Sequence, residues 1–459
     1  MPDVEAIVLA AGKGKRMMST LPKVLHRICG RPMIAYVLDS LADLSIASPI
    51  VVVGHEGEQV KAAVGGVRTV VQAEQLGTGH AVMQAMPLLA GFSGTVLVLY
   101  GDVPLLRSET IDVLQTHHRE QSASATILTD VPADPTGYGR IIRDAHGNVR
   151  RIVEDADASP DERQIREVNA GIYAFDAGAL RDSLRAVGPA NAQGEYYLTD
   201  VIDVLLRNGR TVAAVVAGST EECRGINSRR DLAEAEALMR AAILSDLMDA
   251  GVTIIDPSAT YVHAGVRVGR DTILHPGTSL EGATIIGEGC SIGPQARLTD
   301  AQVGDRVTIH ASTVTRSIVG DDSRIGPYSH LRPGVRLGRF VEVGNYAEMK
   351  SATIGDRTKV HHQSYIGDAT VGAGVNIGAG TITCNYDGRA KHQTIIEDGA
   401  FIGSDTMLVA PVRIGREAMT GAGAVVRRDV PARGVAVGVP AKVIKHRPAA
   451  EPPVPEPVE

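Results

Sequence analysis

Residues 262–298, VHAGVRVGRDTILHPGTSLEGATIIGEGCSIGPQARL, place an aliphatic residue at every sixth position. A period of six fits neither an α-helix, with about 3.6 residues per turn, nor an ordinary strand, with a period of about two. It predicts a parallel β-helix, in which each repeat is a short strand plus a turn and stacked coils share one core. With short slips, the repeat continues to about residue 426, through Val319, Ile325, Leu331, Leu337, Val343, Met349, Ile354, Val360, Ile366, Val371, Ile377, Ile396, Ile402, Leu408 and Ile414.

Glycines and one irregular segment complete this pattern. A glycine often follows the aliphatic residue, and we expect it to supply turn geometry that a Cβ would obstruct. Residues 384–394, CNYDGRAKHQT, have no place in the repeat. Because loops carried by a rigid scaffold often hold functional groups, we expect this segment to be functional.

Composition limits the class of protein. A chain of 459 residues predicts two or more domains. A net charge of −7 gives no case for nucleic acid or acidic membranes as partners. Four cysteines without metal-binding spacing, no basic apolar leader and no apolar run of about 18 residues predict a cytoplasmic protein that does not enter membranes. The Pro/Glu-rich residues 446–459 predict a disordered tail.

The first half alternates strands with helices, which predicts a Rossmann-like α/β domain around a mostly parallel sheet. Ligands in such sheets bind beyond the carboxyl ends of the strands. The predicted domains are 1–226, a linker helix in 227–251, a β-helix over 252–445, and the tail. Predicted strands cover 4–9, 49–53, 95–100, 123–129 and 171–175, and predicted helices cover 31–44, 78–89, 108–120 with Ser108 as the cap, and 228–250.

The loop after the first strand carries groups suited to phosphate. LAAGKGKRM (9–17) places glycines and three cations directly after a strand, where backbone amides and cations can hold an anion. Lys23 follows in LPKVL (21–25). A glycine turn without a ligand, and a solvated surface lysine, are the alternative interpretations.

Further motifs give these residues a context. LAAGKGKRM and LPKVL resemble the signature of sugar-1-phosphate nucleotidyltransferases, and QAEQLGTGHA (72–81), LYGDVPL (99–105), GYGRI (137–141), VEDADA (153–158), NAGIY (169–173) and GINSR (225–229) follow in that family's order. With NIGAGTITCNYDG (376–388), residues 4–445 resemble the bifunctional N-acetylglucosamine-1-phosphate uridyltransferase and glucosamine-1-phosphate acetyltransferase family. The resemblance implies synthesis of UDP-N-acetylglucosamine for cell-envelope precursors.

The resemblance also implies residue roles in the first domain. Arg16 and Lys23 would stabilise the phosphates catalytically, and Asp102 and Asn227 would bind Mg²⁺. Alternatively, Asp102 could be a turn residue, Asn227 a helix cap and Glu154 a solvated acid. The implied nucleotide-sugar site comprises Leu9, Ala10, Ala11, Gly12, Lys23, Gln72, Gly77, Thr78, Tyr100, Gly101, Asp102, Gly139, Glu154, Asn169 and Asn227.

The second half offers groups for acyl transfer. Acetyl transfer to an amine needs an unprotonated amine, and a neutral histidine can act as general base. His361 and His362 are adjacent on a predicted strand, so they point to opposite sides and joint metal binding is disfavoured. By resemblance, His362 is the base; Arg332, Lys350, Tyr365 and Asn376 hold glucosamine-1-phosphate; and Ala379, Asn385, Tyr386, Ser404 and Ala422 line the acetyl-CoA site.

The resemblance further implies left-handed coils, a homotrimer with sites between chains, and acetyl-CoA and UTP as co-substrates. One departure concerns Gly438, which stands where many family members carry an acetyl-CoA-binding arginine; Lys442 or Lys445 could replace that cation. Two alternatives stay open. One is a glucose-1-phosphate adenylyltransferase whose coils only assemble it, and the other is a regulatory subunit such as those of translation-initiation exchange factors.

Overall fold

The computed structural model describes residues 4–12, 14–54, 57–191 and 193–448. The chain divides into two compact units, Met1–Met239 and Arg240–Glu459. The division falls within one long helix, and the domain boundaries given above stay predictions. The predicted disordered tail lies outside the described residues from position 449 onward.

The first unit is built on one twisted sheet with helices on both faces, which confirms the α/β prediction. The strands of the unit are β1 (Val4–Ala10), β2 (Arg27–Ile28), β3 (Arg31–Pro32), β4 (Ile50–Val53), β5 (Arg68–Val71), β6 (Thr95–Tyr100), β7 (Ala125–Asp130), β8 (Arg140–Arg143), β9 (Val149–Val153), β10 (Val168–Asp176) and β11 (Val212–Val216). The order in the main sheet is β11-β7-β10-β6-β1-β4-β5, with the hairpin β8–β9 attached to β10, and β2 pairs with β3 separately. All pairs along this order are parallel except those of β10, which runs antiparallel to β6 and β7.

The helices cover the two faces of this sheet with separate cores. The helices are α1 (Met33–Asp43), α2 (Glu58–Val64), α3 (Thr78–Ala85), α4 (Ser108–Glu120), α5 (Ala177–Leu184), α6 (Asp200–Arg207) and α7 (Arg229–Asp249), with 3₁₀ turns at Lys15–Met17, Lys23–Leu25, Met86–Leu89 and Glu162–Gln164. The helices α3, α5 and α6 pack on one face, and α1, α2 and α4 pack on the other. Both faces of β1, β4 and β6 are therefore apolar, as expected for buried parallel strands.

The predicted helix boundaries need small corrections. The prediction of Ser108 as an N-cap is wrong, because the helix already includes Ser108 and Arg107 is the cap residue. The helix predicted over 78–89 changes to a 3₁₀ turn after Ala85, where Pro87 lacks the N–H that an α-helix needs.

The second unit is a parallel β-helix, as predicted. Three short strands make one coil, so a strand generally pairs with the third strand after it. Where two walls share the long strands Glu348–Ile354 and Tyr365–Val371, the partner is the second strand after it. Equivalent residues lie 17 or 18 positions apart in most coils, as in Tyr261↔Ser279 and Thr313↔His330. The aliphatic side chains of the repeat fill one continuous core, including Val303, Ile309 and Val314, which the six-residue count missed because the coils there are shorter.

Two sheets of the described residues form the walls of this β-helix. One contains Thr253–Ile254, Ile273–Leu274, Ser291–Ile292, Thr308–Ile309, Arg324–Ile325, Glu342–Asn345, Lys359–His362, Asn376–Ile377, Phe401–Ile402, Met419–Thr420, Gly434–Val437 and Lys442–His446. The other sheet supplies two walls, which are joined through its long strands. It contains Tyr261–Val262, Arg267–Val268, Ser279–Glu281, Ile285–Ile286, Arg297–Thr299, Gln302–Val303, Thr313–Thr315, Ile318–Val319, His330–Leu331, Arg336–Leu337, Glu348–Ile354, Tyr365–Val371, Ile382–Cys384, Thr394–Ile396, Met407–Val409, Val412–Ile414 and Val425–Val426. A 3₁₀ turn covers Pro257–Ala259.

The expected turn geometry is found at Gly293 and Gly326, with φ of +100° and +103°, but not at most glycines that follow the aliphatic residue of the repeat. Gly269, which follows Val268, has no positive φ, so turn geometry does not require it. A Cβ on Gly269 would instead lie 2.6 Å from the backbone of Gly287 in the next coil. The glycine is thus required by the close approach of stacked coils. No helix within the described ranges is both long and apolar enough to cross a bilayer.

Candidate active sites

A cavity opens at the carboxyl ends of β1 and β6, where the α/β topology places ligands. The two strands are neighbours in register, with Leu9 paired to Tyr100, and the Gly101 amide donates to the Leu9 carbonyl over 2.9 Å. The cavity measures about 490 Å³, and a second of about 800 Å³ shares part of its wall. The predicted residues that line it are Leu9, Ala10, Ala11, Gly12, Lys23, Gln72, Gly77, Thr78, Tyr100 and Asp102.

Lys23, Asp102 and Asn227 meet at this cavity although they are far apart in sequence. The Lys23 ammonium forms an ion pair with Asp102 and donates to Asn227 Oδ1 over 3.0 Å. Gly14, with φ +56°, makes room for this lysine, because a Cβ there would lie 2.8 Å from Lys23 Cβ. The two oxygens predicted to bind a metal therefore already face one common cation.

The start of α7 shows that the Asn227 side chain is not the helix cap. Asp231 accepts hydrogen bonds from the amides of Asn227 and Ser228, each over 2.9 Å, and the Asp231 amide donates to Ser228 Oγ over 3.2 Å. This reciprocal arrangement is a capping box formed by Ser228 and Asp231. The Asn227 side chain is thereby free of capping, and its Oδ1 is available to Lys23.

Gly139, Glu154 and Asn169 form a second cluster beside the cavity. The Asn169 amide donates to the Gly139 carbonyl over 2.8 Å, and a Cβ on Gly139 would lie 3.3 Å from Glu154 Oε2. Thr199 Oγ1 donates to Glu154 Oε1 over 3.0 Å. Burial raises the pKa of Glu154, and burial together with the Glu154 charge raises the pKa of Tyr100. Tyr100 thus connects this polar cluster with the cavity.

Three further residues of the first unit, Arg16, Gln75 and His80, bear on the predicted site. Arg16 is exposed on the 3₁₀ turn Lys15–Met17 and does not line either cavity, so its catalytic role stays a prediction. Gln75, which donates to the Ala11 carbonyl, and His80, which contacts Gln72, lie within the motif QAEQLGTGHA but were assigned no role. In the sequence, only the motif that contains them pointed to Gln75 and His80. The folded structure shows that they contact Ala11 and Gln72.

Asp200, at the start of α6 next to Thr199, provides a test of stability. Burial, with Asp203 close by, raises the pKa of Asp200 from 3.8 to about 6. The folded state therefore binds the proton of the Asp200 carboxyl more tightly than the unfolded state does. The stabilisation that this protonation gives is present below pH 3.8 and is lost as the pH rises through 6. We expect Asp200→Asn to raise the Tm of the first unit by roughly 2–4 °C at pH 7.5 and to leave it unchanged near pH 3.5.

Calorimetry of the full chain at both pH values measures this difference. Asp182→Asn is the matched control, because Asp182 is 75 % exposed in its pair with Arg185 and such pairs contribute little. An equal rise in Tm at both pH values would contradict a protonation effect at Asp200.

The β-helix aligns predicted acetyl-transfer residues along one corner. His362 ends one strand, and the next strand, on the other sheet, begins at Tyr365. The Gly380 amide donates to the His362 carbonyl over 3.3 Å, and the Gly423 amide donates to the Ser404 carbonyl over 2.8 Å. The positions Asn345, His362, Ala379, Ser404 and Ala422 therefore stack on successive coils at that corner.

A group of cations lies on the sheet that follows this corner. Arg332 donates to Glu348 over 2.8 Å, and Lys350 pairs in register with Gly367 on the next coil. The Tyr365 ring lies over Gly367, where a Cβ would be 2.4 Å from the Tyr365 hydroxyl.

Lys391 joins this group from the loop and was not assigned by sequence reasoning. Its proximity, with a smaller effect of Arg332, lowers the pKa of Lys350. Cations crowded in this way are suited to an anionic ligand such as a phosphate. In the sequence, Lys391 was indicated only by its position within CNYDGRAKHQT. The order of residues in that segment does not show that the Lys391 side chain lies near Lys350.

The irregular segment is an extruded loop, as predicted, and it has its own internal structure. Equivalent residues on the two sides of it lie 25 positions apart, as in Ile382↔Met407. Asp387 accepts hydrogen bonds from the amides of Arg389 and Ala390, each over 2.8 Å, and from His392 Nε2 over 2.8 Å. Asn385 is buried and donates to Asp368, whereas Tyr386 is 60 % exposed.

Asn376 and His361 lie apart from the cation group. Asn376 pairs with Lys359 on the other sheet, so the four predicted ligands of the sugar phosphate are divided between two walls. His361 Nε2 lies 2.8 Å from Glu342 Oε2, and the two histidine rings meet edge to face at 5.8 Å. His361 thus has a carboxylate partner of its own, and His362 remains exposed at the corner.

Gly438 lies in the turn before the carboxyl-terminal strand, and the geometry of that turn explains why a glycine stands there. This residue has φ +96°, a conformation that L side chains rarely adopt, in the turn between Gly434–Val437 and Lys442–His446. Lys442 and Lys445 both lie on the exposed second strand.

Comparison with known proteins agrees with both units. The model of the MobA-like NTP transferase domain matches residues 6–167, and models of the bacterial transferase hexapeptide and of the hexapeptide repeat of succinyl-transferase match residues 265–300 and 393–428. The bifunctional protein GlmU of Heliobacterium modesticaldum is 53% identical over 94% of both chains. That of Pelotomaculum thermopropionicum is 56% identical over 89% of this chain and 90% of its own, and that of Brevibacillus brevis is 50% identical over 95% of both. With this identity over nearly its whole length, the chain belongs to the GlmU family of bifunctional proteins.

Proposed function

We propose that the chain catalyses two consecutive steps of UDP-N-acetylglucosamine synthesis. The β-helix transfers the acetyl group of acetyl-CoA to glucosamine-1-phosphate, and the α/β unit then transfers a uridylyl group from UTP to the product, releasing pyrophosphate. The observation that carries this proposal is the presence of two separate polar sites in one chain, one at Lys23, Asp102 and Asn227 and one at the His362 corner. A nucleotidyltransferase whose coils only assemble it would need no histidine, cation group and extruded loop on those coils.

The first site is arranged for phosphoryl chemistry. A phosphate oxygen of N-acetylglucosamine-1-phosphate attacks the α-phosphorus of UTP, and the bond to pyrophosphate breaks. Since several negative charges meet, the main work of the protein is to position the reactants and to supply cations. Lys15 and Lys23 both line the cavity, and Lys23 is the one that pairs with Asp102. Glu154 and Asn169, beside Gly139, offer the polar groups that would hold the sugar.

Mg²⁺ fits this site through hard oxygen donors. Asp102 supplies a carboxylate and Asn227 a carbonyl oxygen, and both already contact one cation, the Lys23 ammonium. Within the described ranges, no group of three or more His, Cys, Asp or Glu side chains could hold a metal ion. Two protein ligands with the remainder from water and phosphate is the usual pattern for Mg²⁺. When bound, the ion would neutralise charge on the phosphates.

The second site is arranged for transfer to an amine. The amino group of glucosamine-1-phosphate attacks the thioester carbonyl, the C–S bond breaks, and CoA leaves as the thiolate. His362 takes the proton that the amine loses, and Arg332, Lys350 and Lys391 hold the sugar phosphate. Ala379, Ser404 and Ala422, on the coils after His362, present small side chains along which the extended CoA would lie, with Asn385 and Tyr386 beside it.

The same chain supports a trimer with shared acetyl-transfer sites. Arg332, Lys350 and Tyr365 lie on one wall of the β-helix and Asn376 on another. A cyclic assembly would place one wall of each chain against the other wall of its neighbour and join the two halves. No disulfide joins any of the four described cysteines, which fits the cytoplasmic location that we propose.

Mixing two inactive variants tests whether the site is shared. We expect Arg332→Ala and Asn376→Ala each to lower acetyl transfer by at least about tenfold, the effect of losing one ligand contact. If the residues come from different chains, trimers re-formed from both variants contain some sites with both residues intact. Acetyl transfer should then recover in the mixture, while uridylyl transfer stays constant. A mixture no more active than its components, with trimers confirmed by sedimentation, would contradict shared sites.

The bifunctional proposal is tested by omission. The purified chain is incubated with glucosamine-1-phosphate, acetyl-CoA, UTP and Mg²⁺, and each is left out in turn while free CoA and pyrophosphate are measured. We expect CoA release to need only the first two, and pyrophosphate release to need all four. With N-acetylglucosamine-1-phosphate supplied, pyrophosphate release should need only UTP and Mg²⁺. CoA release without any pyrophosphate, or the reverse, would leave a single activity and refute the proposal.

A further inference from the structure

The Gln72 side chain has a defined orientation at the nucleotide cavity. This residue follows β5, is 3 % exposed and lines the cavity wall. Its Nε2 lies 3.0 Å from the Gly77 carbonyl oxygen. A carbonyl oxygen can only accept hydrogen bonds, so the group that faces it must be the NH₂ of the amide. Gly77 therefore determines which end of the amide is nitrogen.

His80 takes the second proton of the same NH₂ group. Its Nδ1 lies 3.1 Å from Gln72 Nε2, so Nδ1 must be the unprotonated, accepting nitrogen. The ring proton is then on Nε2, which lies 3.0 Å from Gln84 Nε2. Two N–H groups cannot bond to each other, so the Gln84 amide turns its oxygen toward the ring. It thereby gives up the longer contact, 3.3 Å, between Gln84 Nε2 and the His80 carbonyl oxygen, whereas the 3.0 Å bond from Gln72 to Gly77 is kept. This chain of contacts defines the tautomer of His80 and the orientation of Gln72.

The amide oxygen of Gln72 is consequently left for a ligand. Both N–H groups are occupied by Gly77 and His80, and across the described part of the chain no donor is found for Gln72 Oε1. An acceptor at this wall suits a base whose ring edge carries an N–H. Uracil and thymine carry a proton on N3, whereas cytosine has a lone pair there and would face the oxygen unfavourably.

We propose that His80 is a positioning residue for nucleotide specificity. By accepting from Gln72 it keeps the amide oxygen turned into the cavity, which selects nucleotides with an imide N–H and rejects cytidine nucleotides. This assignment rests on the proposed uridylyl transfer and adds a residue that does not itself contact the base.

Variants of His80 separate this role from a merely structural one. His80→Leu removes the acceptor, and His80→Asn retains one, because Asn Oδ1 is as far from the main chain as His Nδ1. The measurement is kcat/KM for UTP and for CTP, with N-acetylglucosamine-1-phosphate and Mg²⁺ saturating. We expect the wild-type chain to prefer UTP by at least about 10³, as sites built around a hydrogen bond do. In His80→Leu this preference should fall by about tenfold or more, and in His80→Asn it should stay within about threefold of wild type.

Equal losses for UTP and CTP in His80→Leu would overturn the assignment, as would an unchanged ratio or an Asn variant that behaves like Leu. A further measurement needs no variant. The wild-type chain should reject UTP methylated on N3 about as strongly as CTP, and acceptance of that analogue would also overturn the proposal. If the wild type transfers nothing from UTP, the proposed function itself fails; if it does and the His80 ratios do not change, only the role of His80 fails.

Discussion

Replacing His362 with alanine is expected to lower kcat for acetyl transfer by about 10²–10⁴-fold, the usual contribution of a positioned general base. Uridylyl transfer should be unchanged, because its residues lie in the other compact unit. His362 is exposed at the corner where the strand Lys359–His362 ends, with Ala379 on the following coil. No other histidine of the described chain stands in the column of small residues that would hold CoA.

His361→Ala is the matched control for this prediction. The two histidines are neighbours, but His361 is engaged with Glu342 over 2.8 Å. Its loss should change acetyl transfer by less than about threefold, as expected for an exposed pair that contributes little. The decisive measurement is acetyl transfer against pH with added imidazole, since a missing base can be partly replaced from solution. Equal losses in both variants would contradict a special role for His362.

Replacing Lys23 with alanine is expected to have opposite effects on catalysis and on metal binding. Uridylyl transfer should fall by about 10²–10³-fold, the effect of losing one charged group that stabilises a transition state. In the absence of nucleotide, however, Mn²⁺ should bind about tenfold more tightly, which corresponds to about 1.4 kcal/mol. The reason is that the Lys23 ammonium contacts Asp102 and Asn227 Oδ1, the two oxygens that the metal needs.

Mn²⁺ binding can be followed by electron paramagnetic resonance, independently of turnover. Asp102→Asn should lose uridylyl transfer and also weaken Mn²⁺ binding, because a charged ligand is removed. Lys61→Ala is the control for the loss of one positive charge, since Lys61 pairs with Glu58 at the surface of α2 and is expected to change neither property. Mn²⁺ affinity that is the same with and without Lys23 would contradict the competition.

The sequence predicted the fold well because its two periodicities are regular. Buried strands such as Thr95–Tyr100 are continuous apolar runs, and the six-residue repeat leaves no other architecture. The sequence predicted less well those features that depend on the geometry of the folded chain and not on a residue pattern. Val303 and Val314 fall outside the six-residue count because those coils are shortened. Gly269 is required by its approach to the next coil, which no single repeat reveals.

The candidate sites show the same division. Motifs selected Lys23, Asp102 and Asn227, and their meeting at one point follows from the order of the strands. The sequence could not settle whether Asn227 caps a helix, because Ser228 and Asp231 only form their capping box once α7 is folded. It also missed Lys391 and His80, whose proposed roles depend on the neighbours that folding gives them, Lys350 and Gln72.

The extruded loop has a consequence for how such proteins can diversify. The coil that carries it has 25 residues where the others have 16 to 20, and yet Ile377 still stacks on Ile402 and Ile382 on Met407. Hydrogen bonds to Asp387 hold the inserted segment together internally, while Asn385 and Gln393 attach its two ends to Asp368 and Thr370 of the coil. Because the coils keep their register around the insertion, the inserted segment can be replaced by another without disturbing the stacked coils. New acceptor chemistry could therefore evolve at this corner while the folding of the stack, and the histidine that it presents, stay the same.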